Sequence, residues 1–201
     1  SFTKLGIDVV NVIEGAASKP FAFMSHLPGC GVGGHCIPVD PYYLIDYAKQ
    51  NGFHHDFLVL ARRINNEMPE FTVEQTVAGL NKKKLSINGA KIAVLGLAYK
   101  ANIDDCRESP SFKIIEQLKK AGADVAVYDP FVPDKSTAQT LDEALGGAQV
   151  ALIATNHRIF VESLTPQYLN AHGVGIVVDG RNCLDKEMFA GSGIIYKGIG
   201  R

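Results

Sequence analysis

Hydrophobic residues in the first part of the chain follow a helical repeat. Between residues 3 and 17 they recur every three or four positions, at Leu5, Val9, Val12, Ile13 and Ala16. This spacing predicts one helix, ended at Lys19-Pro20 because the residue before a proline disfavours helical backbone. Further apolar residues in the same stretch predict that the helix is buried on two sides. Residues 42–50 have the pattern of a short second helix that Asn51-Gly52 stops.

A longer helical pattern runs from about Asp56 to Lys82. Its apolar residues lie close to one stripe, at Phe57, Leu60, Ala61, Ile64, Met68, Phe71 and Leu80. Pro69 falls inside the pattern, so we expect either two helices or one helix with a kink. The pattern does not separate three roles: a dimer interface, a spacer between domains, or a cover for the core of its own domain. The segment up to about Leu85 is predicted to be all-helical.

The pattern changes after the polar connector at residues 81–88. Short apolar runs, typical of buried parallel strands, now alternate with helical segments. We predict strands at residues 91–97, 124–128, 149–154, 175–179 and 194–196, and helices at residues 111–121, 140–145 and 166–171. Strands that alternate with helices form a doubly wound parallel sheet. The predicted fold class is α/β, with an all-helical domain at residues 1–85 followed by a Rossmann-like domain at residues 86–201.

Composition narrows the possible partners. Hydrophobic residues make up 46% of the 201 residues and charged residues 20%, as in ordinary globular proteins. A formal net charge of −1 provides no electrostatic surface for nucleic acid or an anionic membrane. No apolar run approaches the roughly 20 residues needed to cross a bilayer. The four cysteines form no CxxC pair, so we expect reduced cysteines and a cytoplasmic protein.

One stretch combines features that suit an active site. In residues 28–41, glycines at 31, 33 and 34 precede Cys36, and Asp40-Pro41 follows it. Glycine lets backbone N–H groups approach a ligand. Asp40-Pro41 has the pattern of a helix N-cap and first turn, so Cys36 would lie near a helix N-terminus, where the dipole favours a thiolate. The alternative is a buried structural cysteine beside an ordinary loop.

A metal site is not expected in this stretch. Cys30, His35 and Cys36 have side chains of types that bind zinc, but adjacent His and Cys side chains rarely converge on one tetrahedral ion. We therefore predict no metal ligands.

A second candidate region lies at the predicted carboxyl ends of the strands, where open α/β sheets bind ligands. The first strand-to-helix turn, residues 96–100, has one glycine where a dinucleotide site has GxGxxG, so a pyrophosphate could not approach its backbone closely. Asp129 resembles the acidic ribose ligand of an NAD site, but a strand-end turn is our preferred interpretation. Residues 100–110 crowd acidic and basic side chains together, which suits either a ligand site or a solvated salt-bridge loop.

Three segments resemble motifs of the UDP-glucose/GDP-mannose dehydrogenase family. GVGGHCIPVDP at residues 31–41 looks like its nucleophile motif, GLAYKANIDDCRESP at residues 96–110 like its UDP-binding signature, and DGRN at residues 179–182 like a third motif. The His-Cys pair resembles the branch that oxidises UDP-N-acetylhexosamines, UDP-N-acetylglucosamine or UDP-N-acetylmannosamine. The resemblance implies NAD-dependent oxidation of the C6 alcohol of such a UDP-sugar to the uronic acid.

The same resemblance implies roles for individual residues. Cys36 would be the nucleophile that forms a thiohemiacetal and then a thioester, and Asp40 would orient or deprotonate the hydrolytic water. The implied substrate-binding residues are Gly29, Gly31, Val32, Gly33, Tyr99, Lys100 and Arg181, and the implied cofactor-binding residues are Gly34 and Arg107. Lys and Arg suit these roles because they pair with pyrophosphate oxygens.

The resemblance also implies an organisation larger than this chain. The family binds NAD mainly through an N-terminal Rossmann domain, to which nothing here corresponds, and forms homodimers through the central helices. The chain opens with Ser inside a helical pattern, so we expect a piece of a longer protein that binds nucleotide but is inactive alone. Cys30, Leu27 and Val39 depart from the UDP-glucose enzymes, which favours a UDP-N-acetylhexosamine. A UDP-glucose or GDP-mannose 6-dehydrogenase is the alternative.

Two functions of other classes stay open. A hydrolase or transferase could use Cys36 with His35, although neighbours in an extended segment point to opposite sides and make a poor nucleophile–base pair. A non-catalytic nucleotide-sugar-binding module would use the helical segment for oligomerisation.

Overall fold

The computed structural model describes residues 1–201, and its first part consists of four helices. They are α1 (Phe2–Leu5), α2 (Val9–Ala17), α3 (Cys36–Gln50) and α4 (Asp56–Lys82). No strand interrupts them, and the first strand begins only at Lys91. The all-helical character predicted for this part of the chain is confirmed.

Five parallel strands follow and alternate with four further helices. The strands are β1 (Lys91–Leu95), β2 (Asp124–Tyr128), β3 (Val150–Ile153), β4 (Ile176–Asp179) and β5 (Ile195–Gly198), in the order β2-β1-β3-β4-β5. The helices are α5 (Pro110–Lys120), α6 (Leu141–Leu145), α7 (Arg158–Ser163) and α8 (Pro166–Ala171). This confirms the doubly wound α/β sheet. The strand order reverses between β1 and β3, which opens a crevice at the carboxyl ends of the strands.

The sheet is buried because helices cover both of its faces. Ile92 and Val94 of β1 point into one apolar core, and Ala93 and Leu95 point into another. α4 and α5 close the first core, while α6, α7 and α8 close the second. Burial on both faces explains why the strands are continuous apolar runs without polar alternation.

α4 is a single helix of 27 residues that contains Pro69. Its C-terminal half packs on the sheet, where Leu80 is fully buried and a Cβ added to Gly79 would lie 2.7 Å from Ile176 Cγ2. Its N-terminal half carries apolar side chains that are exposed, at Phe57, Leu60 and Ile64. The predicted stripe therefore divides into a half that covers the sheet and a half that faces solvent.

The prediction for residues 3–17 is wrong in two respects. Gly6, with φ of +69°, ends α1, and Asp8 starts α2 by accepting a hydrogen bond from Val10 N at 2.9 Å. Nor is this region buried on two sides, because Val10 is the one buried residue of α2 and Val12 is 44% exposed. The helical part has no apolar core of its own. The two cores lie on the two faces of the sheet, and the buried residues that the helical part contributes to them are Cys30 and Leu80.

The remaining differences are small. The strands begin and end within two residues of their predicted bounds, and α7 is a six-residue helix that the sequence did not predict. None of the helices combines the length and the apolar character that a membrane crossing requires.

Candidate active site

The segment of residues 28–34 lies at the carboxyl ends of β3 and β4. Cys30 N donates to Gly180 O at 2.9 Å, and Cys30 Sγ donates to Ala154 O at 3.4 Å. Asn182 Nδ2 donates to Pro28 O at 3.1 Å. These hydrogen bonds connect the segment before α3 to the crevice of the sheet. Burial raises the pKa of the Cys30 thiol, which makes Cys30 a structural residue.

Close packing explains why this segment contains so much glycine. A Cβ added to Gly33 would lie 2.7 Å from Tyr99 Cβ, and one added to Gly34, with φ of +84°, would lie 2.9 Å from Tyr99 Cε2. Gly34 N also donates to Arg107 O at 2.9 Å. Gly33 and Gly34 therefore contact the segment that follows β1, a packing role that the sequence analysis did not anticipate.

α3 begins at Cys36, ahead of the predicted start at Tyr42. His35 already has helical backbone angles (φ −108°, ψ −56°), and its carbonyl accepts from Val39 N at 2.9 Å. Asp40 lies inside the helix, so its interpretation as an N-cap is wrong. The prediction that Cys36 lies at a helix N-terminus is confirmed.

Three side chains converge at this helix start. Nitrogen, sulfur and oxygen atoms of His35, Cys36 and Asp40 lie within 4.8 Å of one another, and His35 Nδ1 is 3.2 Å from Asp40 Oδ1. The helical backbone places Cys36 and Asp40, four residues apart, on one face, and His35 directly precedes the helix. The sequence argument against a His35–Cys36 pair assumed an extended segment, whereas the backbone here is helical. Cys30 is not part of this group, because its Sγ donates to Ala154 O. An exposed thiol therefore has an imidazole and a carboxylate beside it.

The segment after β1 carries the other predicted nucleotide-binding residues. Tyr99 N donates to Asp105 O at 3.0 Å, and Lys100 is exposed. Arg107 forms a two-bond pair with Asp105, with Nη2–Oδ2 at 2.6 Å and Nε–Oδ1 at 3.0 Å, which lowers the pKa of Asp105. Arg107 O accepts from Gly34 N at 2.9 Å, two residues before Cys36, so the two predicted motifs meet at one place.

A carboxylate of the protein itself fills the first strand-to-helix turn. Asp129 is fully buried, and its Oδ2 accepts from Leu97 N at 2.6 Å, Ala98 N at 2.9 Å and His157 Nε2 at 2.9 Å. His157 Nδ1 accepts from Asn102 N at 2.9 Å, so the ring proton lies on Nε2. Burial alone would raise the pKa of Asp129, but these hydrogen bonds outweigh it and lower the pKa to about 2.

This turn does not fit the pyrophosphate of NAD. Backbone amides that would bind a phosphate donate to Asp129, and Gly96 is the single glycine of the turn. The interpretation of Asp129 as part of a strand-end turn agrees with its hydrogen bond from Phe131 N at 2.8 Å. His157, which completes the buried cluster, carries no local sequence signal that could have identified it.

Arg181 connects the end of β3 to the Tyr99 segment. Its Nε donates to Ala154 O at 2.7 Å and its Nη2 donates to Tyr99 O at 3.4 Å. Arg181 also lines a cavity of about 650 Å³, whose other walls are residues 27–29, 31 and 32, Asn156 and the exposed half of α4. Of the other predicted substrate-binding residues, those that line the same cavity are Gly29, Gly31 and Val32. Tyr99, Lys100 and Cys36 lie outside its lining.

Two family models match the chain. The model for the UDP-glucose/GDP-mannose dehydrogenase family, central domain, matches residues 1–67, and the model for the UDP binding domain of the same family matches residues 93–186.

Individual proteins match the chain as well. A UDP-N-acetyl-D-mannosamine dehydrogenase of Pyrococcus horikoshii is 38% identical over 98% of this chain and 45% of its own length. A UDP-N-acetyl-D-glucosamine 6-dehydrogenase of Pseudomonas aeruginosa is 37% identical over 65% of this chain and 31% of its own. A solved structure of the UDP-D-ManNAc dehydrogenase from Pyrococcus horikoshii superposes with a TM-score of 0.89 at 37% identity, covering 100% of this chain and 46% of that one. The chain thus spans less than half the length of these relatives.

Proposed function

Because the chain belongs to the UDP-glucose/GDP-mannose dehydrogenase family, we propose that it forms the nucleophile-bearing and UDP-binding part of a nucleotide-sugar 6-dehydrogenase. The reaction would convert the C6 alcohol of a UDP-N-acetylhexosamine to a carboxylate. The observation that carries this proposal is the exposed Cys36 thiol at the start of α3, beside His35 and Asp40 and two residues after Gly34, which donates to Arg107 O.

Cys36 explains how one site could perform two oxidations. The first removes a hydride and a proton from the alcohol and leaves an aldehyde. Cys36 Sγ then adds to the aldehyde carbon, its proton ends on the former carbonyl oxygen, and a thiohemiacetal forms. Loss of a second hydride and proton converts this adduct into a thioester.

Hydrolysis completes the sequence. Water adds to the thioester carbon, the C–S bond breaks, and the carboxylate leaves while Cys36 regains its proton. Asp40 lies on the same face of α3 as Cys36 and carries an exposed carboxylate, which suits it to orient or deprotonate that water. His35 holds the Asp40 carboxylate at 3.2 Å.

Substrate binding would use both motifs. Gly29, Gly31, Val32 and Arg181 line the cavity of about 650 Å³. Gly33 packs against Tyr99, whose neighbour Lys100 is exposed. Cationic Lys100 and Arg181 would pair with the pyrophosphate of the UDP-sugar.

The oxidant in this proposal is NAD, which accepts the hydrides when bound. Because Asp129 already accepts from the backbone amides of the turn after β1, we infer that the pyrophosphate of NAD binds away from residues 96–98. We assign Gly34 and Arg107 to face the cofactor, since Gly34 N donates to Arg107 O at 2.9 Å. We also propose the division into a helical domain at residues 1–85 and a UDP-binding domain at residues 86–201. The exposed apolar residues of α4 would support a homodimer.

The choice of substrate rests on the relatives. Their names specify UDP-N-acetyl-D-mannosamine in one case and UDP-N-acetyl-D-glucosamine in another, which supports the hexosamine class but selects neither epimer. UDP-glucose and GDP-mannose are the competing substrates.

The test is product formation by the complete protein that carries this sequence. It would be incubated with NAD and each of the four nucleotide sugars, and the uronic acid would be detected by mass spectrometry. We expect acid from a UDP-N-acetylhexosamine, no acid from Cys36→Ser, and normal activity in the control Cys106→Ser. Undiminished acid formation by Cys36→Ser would contradict the proposed nucleophile.

A further inference from the structure

A second cavity, of about 490 Å³, has polar walls to which the proposed reaction gives no role. It lies between α3, α4 and the start of α5, and it shares Gly31, Val32 and Asn65 with the larger cavity. Its polar walls include Tyr42, Arg62, Asn65, Asn66 and Lys113. Sequence analysis singled out none of these five side chains.

Arg62 is the unusual group in this cavity. The residue is only 7% exposed, its Nη2 donates to Asn66 Oδ1 at 3.1 Å, and its buried Nε has no partner. The arginines that form salt bridges are Arg63, Arg107, Arg158 and Arg201. Arg62 is not among them. A largely buried guanidinium without a counterion is costly, and an anion in the cavity would relieve that cost.

The surroundings of Arg62 add positive potential. Its guanidinium carbon lies 5.5 Å from the centre of the Tyr42 ring, and Asn66 Nδ2 donates to Tyr42 Oη at 3.0 Å. The pKa of Tyr42 is lowered, first by the Asn66 hydrogen bond and then by the hydrogen bonding and charge of Arg62 and by the charge of Lys113. Two cations, two amides and a hydroxyl thus surround one space.

Glu108 is the one carboxylate in the lining of this cavity. It is exposed and forms no ion pair with Arg62, so the charged side chains of the lining are two positive and one negative. In its exposed position Glu108 would repel an anion. If its side chain turned inward, it would instead take the anion's place as the counterion of Arg62. These two possibilities make opposite predictions for its removal.

We propose that this cavity binds a phosphate-type oxyanion, with Arg62 as its central ligand. A guanidinium presents parallel N–H donors that match two oxygens of a phosphate, and Lys113 would add a point charge. The anion is either a free phosphate or pyrophosphate ion or the phosphate group of a small phosphorylated molecule. The cavity is coupled to the candidate active site because Asn65 Oδ1 accepts from Val32 N at 3.0 Å.

Thermal unfolding of the 201-residue chain tests this assignment. The melting temperature would be followed as phosphate or pyrophosphate replaces chloride at constant ionic strength. We expect a saturable rise in the wild type, no rise in Arg62→Met, and a normal rise in Arg63→Met. Arg63 is the matched control because it is the neighbouring arginine but is exposed and pairs with Glu67.

The same variants separate ligand binding from fold damage. In buffer without oxyanions, Arg62→Met should melt at the wild-type temperature or above it, since it removes a buried unpaired charge. A lower melting temperature there, or a phosphate response that Arg62→Met retains, would overturn the proposal.

Glu108→Gln supplies a second arm. If Glu108 only repels the anion, Glu108→Gln binds phosphate several-fold more tightly and keeps its stability without oxyanions. If Glu108 is the hidden counterion of Arg62, Glu108→Gln melts lower without oxyanions, and the proposal fails.

A titration with UDP identifies the source of the phosphate. If UDP binding is lost in Arg62→Met, the cavity binds the phosphate of a nucleotide. If UDP binding is lost in Lys100→Ala but kept in Arg62→Met, the cavity binds a phosphate ion separate from the nucleotide. The inorganic phosphate response requires neither Lys100 nor Cys36, so it stands or fails independently of the dehydrogenase proposal.

Discussion

The buried carboxylate of Asp129 holds the turn that leads into Tyr99 and Lys100, and Asp129→Asn tests that role. In the wild type, Oδ2 accepts three hydrogen bonds and Oδ1 accepts one from Phe131 N at 2.8 Å. An asparagine oxygen can keep the three bonds from Leu97, Ala98 and His157. Its NH₂ group then faces the N–H of Phe131, donor against donor, inside the protein.

Two estimates of the stability that Asp129→Asn loses agree. Losing the charge weakens hydrogen bonds of about 1.5–3 kcal/mol and leaves a buried donor unsatisfied at about 1–3 kcal/mol, so we expect Asp129→Asn to lower the unfolding free energy by about 2–4 kcal/mol. Separately, a carboxyl pKa lowered from 3.8 to about 2 corresponds to about 2.5 kcal/mol at pH 7. Because the folded-state pKa is depressed, this stability is present above pH 4 and is lost as the pH falls towards 2.

Urea unfolding at pH 7 and pH 3 measures both effects. The difference between wild type and Asp129→Asn should narrow by about 1 kcal/mol at pH 3, where the unfolded carboxyl is mostly protonated. Asp124→Asn is the control, since Asp124 is exposed at the start of β2 and should change stability by less than about 0.5 kcal/mol. A difference that does not change with pH would refute an ionised Asp129 as the group that holds the turn.

The remaining predictions concern packing and ion pairing. Gly33→Ala should lower stability by about 1–3 kcal/mol and weaken UDP binding in calorimetry, because its Cβ would overlap neighbouring atoms; Gly15→Ala, with no atom within 4 Å, should be neutral or stabilising by up to about 1 kcal/mol. Asp8 accepts hydrogen bonds from Lys186 and Arg201. Burial alone would raise the pKa of Asp8, but these partners lower it to about 2. Asp8→Asn should therefore lower the unfolding free energy by about 2 kcal/mol at pH 7, and by less below pH 4. An equal loss of unfolding free energy at pH 7 and below pH 4 would contradict the pairing.

The fold was largely predictable because its signals are local. Five apolar runs identified the five strands, since strands buried on both faces need continuous apolar sequence. The start of α3 was missed because Asp40-Pro41 is a typical helix start, and it masked the earlier start at Cys36. That difference of a few residues decided whether His35, Cys36 and Asp40 could converge.

The interior of the candidate site depends on contacts that local patterns do not encode. Asp129 directly follows β2, and His157 lies in the segment that follows β3. They meet only because both strands end at the same edge of the sheet. Likewise, Arg62 lies in a helix whose sequence suggests a polar position, and only packing against α3 and α5 buries it. Such long-range burial of charge requires the tertiary structure.

The measurement that tests the central claim most directly is ligand-induced thermal stabilisation of this chain by UDP, UDP-N-acetylglucosamine, UDP-glucose, GDP-mannose and NAD, with Lys100→Ala in parallel. A ligand that binds the native state raises the melting temperature by mass action. The account predicts a rise with the uridine nucleotides that Lys100→Ala loses. A rise with NAD alone would contradict it, because the cofactor would then occupy the domain assigned here to UDP.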